Sequence, residues 1–286
     1  MLDLLAQPFV QSALLAGIIM GLLLSYLGVH VVGRGIVFVD LALGQISMLG
    51  VAFAAFIGGN PTVIAIVFTI VGAFLLSFIK VTDKRLKQEA IIGIIYALSS
   101  AVTVLLISKA AHGDASISEV LFGSLFTVTN TELIAMAIVF GILGLMHFVF
   151  RNSFFEITEK FANREVEELG IFNLWNFLFY LSIGLAIVLA VRVGGVIPVF
   201  SYLVIPPVAG ILMSRGRGRV IAIAMIVSIL GSLFGILFSV QFDFPAGPSV
   251  VALLGAAFVI GSLVRLFKGS PMDRDVEEPA PAEGLS

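Results

Sequence analysis

Apolar stretches long enough to cross a bilayer recur along this chain at about 12–33, 35–58, 61–80, 89–110, 131–150, 172–191, 194–214, 220–241 and 249–267, each ended by glycine, proline or charge. In lipid every backbone polar group must be satisfied internally, so runs of this kind fold as helices. The pattern predicts an all-α, polytopic integral membrane helical bundle of eight or nine transmembrane helices. Polar residues interrupt the second run, and Pro198, Pro206 and Pro207 predict a kink or break in the seventh, so eight full spans plus a broken one fit as well as nine. Residues 1–268 form the transmembrane domain. The acidic, proline-rich stretch 269–286 reads as a disordered cytoplasmic tail.

Within the second run, GRGIVFVDLALGQISMLG (Gly33 to Gly50) places Asp40 and Gln45 in an otherwise apolar segment. An acid at mid-bilayer costs roughly 2.5–3.5 kcal/mol on insertion scales, which marks Asp40 as a candidate pathway residue. On a helix Asp40 shares a face with Gly44, Gln45 lies near Met48, and the two polar side chains diverge by about 140° unless the helix is irregular. Gly44 between them predicts such an irregularity, with exposed carbonyls available to a cation. The competing reading puts Asp40 at the membrane surface near Arg34, with Gln45 only joining two helices.

Charge adds orientation. Of the sixteen basic residues, all but Lys109 and Arg192 fall on the side of the 80–89 loop, which makes that side cytoplasmic. The C-terminus is then cytoplasmic and, with nine spans, the N-terminus external. The first apolar run lacks a basic n-region and a cleavage site, so it reads as a retained span. The chain has no cysteine, which excludes disulfides and thiolate metal sites. The external loop carrying His112, Asp114 and Glu119 lacks a spaced second histidine and reads as solvent-facing turns rather than a metal site. LFGSLFTVT (121–129) is too short to span and predicts a half-helix packed on the bundle. His30 and His147 read as packed or interfacial.

The largest cytoplasmic loop, residues 151–173, contains a predicted short helix with Asn163 as N-cap, then Arg164, Glu165, Val166, Glu167, Glu168 and Leu169, and Gly170 as its stop. Its few apolar side chains, Val166, Leu169 and Ile171, have no evident core of their own, which points to docking in a partner's groove. Lying flat on anionic headgroups is disfavoured by its glutamates.

No phosphate-binding loop, zinc-hydrolase helix or nucleophile elbow occurs, so any energy source is external and an intramembrane enzyme has no convergent catalytic group behind it. The order of segments then resembles a known family, the membrane permeases of ABC-type importers for zinc, manganese and iron (ABC-3). The likeness covers about residues 10–268. ALLAGIIMGLLLSYLGVHVVGRGIVFVD resembles the family's first span and its entry to the second, QEAIIGIIYALS (88–99) its acidic-Ala-x-Ile-Gly segment, and LFGSLFTVT its Leu-Phe-Gly motif. REVEELGI (164–171) is similar to its ATPase-coupling helix, GGVIPVFSYLVIPPVAGIL (194–212) to its Leu-x-Ile-Pro segment, and DFPAGPS (243–249) to its Asp-Leu-Pro-x-Gly turn.

The resemblance implies a permease domain at 1–268 in the inner (cytoplasmic) membrane, paired with a second identical or paralogous permease chain, a cytoplasmic ABC ATPase dimer and an extracytoplasmic metal-binding protein. It implies no cofactor bound by this chain and no nucleic acid; the cargo is a divalent metal ion. Coupling residues would be Glu165, Val166, Glu168, Leu169 and Gly170, and metal ligands Asp40 and Gln45. One departure stands out: where such permeases carry Gly-Asp-Ala-x-x-His, this chain has Leu41 at the acid and Gln45 at the histidine, with Asp40 one place early. An amide is a poorer transition-metal ligand than imidazole. A stand-alone secondary transporter or channel is the alternative.

Overall fold

A computed structural model describes residues 6–81, 85–108 and 125–268. Among these the chain is helical and without strands: α1 (Pro8–Arg34), α2 (Val39–Ile57), α3 (Pro61–Ser77), α4 (Gln88–Ile107), α5 (Asn130–Val149), α6 (Arg151–Ala162), α7 (Leu174–Gly194), α8 (Val196–Met213), α9 (Arg217–Phe242) and α10 (Ala246–Lys268). Short 3₁₀ turns occupy Leu125–Thr127 and Val166–Leu169. The acidic tail, the loop with His112, Asp114 and Glu119, and positions 121–124 of the expected half-helix lie outside the described residues.

Local chemistry sets the ends. Pro8 opens α1, whose C-terminus closes on Gly35 at φ 65°, where only glycine is unstrained. The Asn60 side chain accepts the N–H groups of Thr62 and Val63 to start α3, and Thr129 with Glu132 forms a reciprocal capping box on α5. Asn173 caps α7 by accepting the Asn176 N–H at 3.0 Å.

Eight of the helices are long and apolar enough to span a membrane; α3, with 17 residues, is shorter. It nevertheless runs antiparallel along α7: Arg192 donates to Thr62 at one end, and Asn176 donates to the Ser77 carbonyl at the other. The 62–77 interval covers about 23 Å at 1.5 Å per residue. The same contacts gather Arg34, Ser77 and Asn176 at one end of the bundle and leave Arg192 at the other.

Helix α1 is the axis. It packs on α8 and α9, which also pack on α10; α2 packs on α3 and α4, and α7 lies against both α2 and α3. α6 folds back onto α1 and α7 at the basic end. The expected break in the seventh run does not occur: α8 is continuous from Val196 to Met213 with Pro206 and Pro207 inside it. Proline removes the donors that the Tyr202 and Leu203 carbonyls would use, and neighbouring helices can absorb that loss in a bundle. Here Gly28 of α1 lies directly on Leu203 and Pro207.

Candidate functional site

The pathway residues read from the sequence come together. Asp40, Gly44, Gln45 and Met48 of α2 line a single cavity of about 180 Å³, whose other walls are α4, α7 and α8. Together with Leu41 they cover an arc of about 140° on α2, with Gly44 about 40° from Asp40 and Met48 near the middle. Gly44 does not unwind the helix as expected, because α2 is regular from Val39 to Ile57. The cavity wraps the arc instead, and the missing side chain of Gly44 opens the space between acid and amide. Ile187 of α7 stands opposite, 3.7 Å from where a Cβ on Gly44 would be.

Asp40 is in the first turn of α2 and only 3% exposed. Its Oδ1 has no hydrogen-bond partner among the described residues. No ion pair joins it to Arg34, which bonds elsewhere. The positive end of the α2 dipole offsets part of the carboxylate's charge, leaving an acceptor aimed at a cavity with no fixed counter-ion. Leu41 and Asp40 both reach this cavity, so moving the acid by one residue rotates it about 100° without removing it from the site.

The opposite wall is polar in a way the sequence reading passed over. Tyr96, Ser100 and Thr103 of α4 line the same cavity. Their i, i+4, i+7 spacing on an apolar helix is a legible signal of one polar stripe. Thr103 spends its proton on the Ser99 carbonyl at 2.7 Å, which leaves its oxygen lone pairs free to face the cavity.

A second buried polar cluster lies at the basic end. Arg34 donates through Nε to Thr158 Oγ1 at 3.2 Å and through Nη1 to Asn176 Oδ1 at 2.9 Å, and its guanidinium lies 3.6 Å from the centroid of Phe179. Thr158 gives its own proton to the Phe154 carbonyl, so His30, 2.8 Å away, must donate through Nδ1–H. By the same logic Ser182, which donates to the Leu178 carbonyl, accepts from His147 Nε2 at 3.1 Å. Both histidines are fully buried and hold α1, α5, α6 and α7 together, in keeping with a packing role. Thr158 and Asn176 were missed because single polar residues at helix starts and in loops carry no periodic signature.

The expected coupling segment takes a different form. Asn163 is the C-cap of α6, not the N-cap of a following helix. α6 ends in a Schellman arrangement, with the Glu165 N–H on the Lys160 carbonyl, the Arg164 N–H on the Phe161 carbonyl, and Arg164 itself left-handed at φ 62°. Val166 and Leu169 are not free for a partner: they are buried with Ile157 and Phe161 of α6 against Trp175. The loop therefore has a small core of its own, which α6 supplies through Phe154, Ile157 and Phe161 at helical spacing. Glu165, Glu167, Glu168 and Ile171 are exposed, and Glu168 lies 3.5 Å from Lys160. Gly170 stops the turn at φ 63°, ψ −170°, an extended region open essentially to glycine alone rather than the left-handed helical stop expected. Lys80 donates to its carbonyl.

Residues 6–265 match the ABC 3 transport family. The manganese transport system membrane protein MntC of Halalkalibacterium halodurans is 23% identical over 93% of this chain and 94% of its own length. The high-affinity zinc uptake system membrane protein ZnuB of Haemophilus influenzae is 27% identical over 88% of this chain and 96% of its own. In fold, the chain is similar to PsaBC from Streptococcus pneumoniae, with a TM-score of 0.76 at 23% identity over 96% of this chain and 97% of that one.

Proposed function

The chain belongs to the ABC 3 transport family, and from that premise we propose that it is the membrane permease subunit of an ATP-binding cassette importer that carries a divalent transition-metal ion, with zinc, manganese and iron as candidates. The observation that carries this reading is the convergence of Asp40, Gln45 and Met48 with the hydroxyls of α4 in one intramembrane cavity. Asp40 supplies the charge, the Gln45 amide and the α4 hydroxyls supply hard oxygens, and Met48 a soft sulfur.

One carboxylate with neutral donors is a weak site, and the α2 dipole weakens it further toward a cation. That suits an ion that must leave as readily as it enters. Without imidazole the set favours zinc over manganese and iron less than the same site with a histidine at position 45 would.

The energy source in this reading is a cytoplasmic ATPase dimer, and the exposed acids of the 163–171 segment are where it docks. A second permease chain completes the pore, and an extracytoplasmic binding protein delivers the metal. The cell's inner membrane is the site of action. The test is uptake of radiolabelled zinc, manganese and iron by cells lacking their own importers and expressing the full system. Uptake of at least one ion that requires this chain and ATP supports the reading. Uptake that persists without any ATPase subunit would instead mark a stand-alone carrier.

A further inference from the structure

A second cavity shares no lining residue with the one around Asp40. It is a half-open crevice of about 560 Å³ between α1, α5 and α9, closed at the basic end by the start of α6. α5 packs on α1 and α7 but stands away from α9, which creates the slot. Leu22 and Tyr26 on α1, Phe140 and Phe148 on α5, and Ile221 and Met225 on α9 form apolar walls. The one charged side chain lining it is Arg151, at one end.

Glycines widen this slot. Gly141 and Gly144 of α5 and Gly218 of α9 all line it. A Cβ added at Gly141 or Gly218 would meet nothing within 4 Å, and at Gly144 only Leu23, at 3.9 Å. Gly50 and Gly72 instead serve close packing, where the same Cβ would come 2.8 Å from Ala65 and 2.8 Å from Ile46, while Gly93 and Gly255 face open space as the slot glycines do. A helical glycine costs about 1 kcal/mol relative to alanine, and in this slot no helix contact offsets it.

From Ala137 to Phe148 the slot runs for roughly 17 Å. An extended acyl chain matches a slot of this length and apolar lining. At the end of the slot Arg151 has no carboxylate partner among the described residues, its guanidinium lying only over Phe148 at 5.7 Å. The N-terminus of α6, which carries Arg151, has neither a side-chain cap nor an acid in its first turn. Uncapped N–H groups and a guanidinium together favour an anion. The basic end is the cytoplasmic one by charge distribution, where the leaflet is anionic.

We propose that this crevice is a binding site for an anionic phospholipid of the cytoplasmic leaflet, its acyl chain beside Gly141 and Gly144 and its phosphate on Arg151. The inference needs only that the chain spans a membrane and is independent of which ion it carries. Native mass spectrometry of the purified full chain, titrated with dioleoyl phosphatidylglycerol and dioleoyl phosphatidylcholine, tests it. The wild type should hold one phosphatidylglycerol about fivefold more tightly than phosphatidylcholine. Arg151→Gln should erase that preference while keeping chain binding. Gly141→Leu with Gly144→Leu, for which the slot has room, should weaken both lipids by about tenfold or more at an unchanged melting temperature. Equal retention of both lipids by wild type, or unchanged binding by the double leucine variant, would overturn the proposal. So would a double leucine variant that alters only the oligomeric state, because the slot would then be a protein interface.

Discussion

Gly28 of α1 lies against the Leu203 carbonyl of α8, the carbonyl whose helical donor position is occupied by Pro207. A Cβ at Gly28 would come 2.7 Å from Pro207 Cγ and closer still to the Leu203 oxygen. The proline removes an N–H, and the glycine lets a neighbouring backbone cover the carbonyl left behind.

This contact makes Gly28→Ala costly. Overpacking at a backbone contact destabilises by about 1–3 kcal/mol or more, because no flexible side chain can yield. A lower melting temperature in detergent and reduced membrane levels are expected. Gly141→Ala, in open space, should leave both unchanged.

Asp40→Asn keeps the shape of a side chain whose Oδ1 has no partner among the described residues, so the bundle should fold normally. Removing the single carboxylate of the cavity should reduce metal uptake by at least about tenfold at matched protein levels. Gln45→His should raise zinc uptake relative to manganese. Normal uptake by Asp40→Asn would move the cargo site away from α2.

Thr158 accepts from both His30 and Arg34 inside a buried cluster. Thr158→Val preserves volume and strands both donors, one of them charged, at a cost of about 2–5 kcal/mol. Thermal unfolding of the purified chain checks this. An unchanged midpoint would mean that the network contributes little.

The basic-end segment separates folding from docking. Leu169→Asp places a carboxylate among Ile157, Phe161 and Val166 and should destabilise the α6 layer itself by about 2–4 kcal/mol. Ile171 is 87% exposed, so Ile171→Asp should leave folding intact and lower copurification of the ATPase together with transport. Copurification equal to wild type would place the docking surface elsewhere.

Much of this molecule was legible before any coordinates. The helical runs follow from hydropathy, and Asp40, Gly44, Gln45 and Met48 draw notice together because an acid in lipid is expensive. The 163–171 segment was harder. Asn163 serves equally well in sequence as the start of one helix or the end of another, and only the α6 hydrogen bonds decide it. Val166 and Leu169 looked unpartnered because their partners belong to an amphipathic helix that had been taken for loop.

What the sequence by itself determined is which segments enter the membrane, since a buried backbone must pair with itself and the side chains must match the solvent. Which helix faces which was decided by tertiary contact alone. Gly28 and Gly141 are both glycines in apolar helices, yet one is pressed against Leu203 and the other faces empty space. A one-dimensional pattern records the size and polarity of a side chain but not its neighbour, and close packing depends on the neighbour.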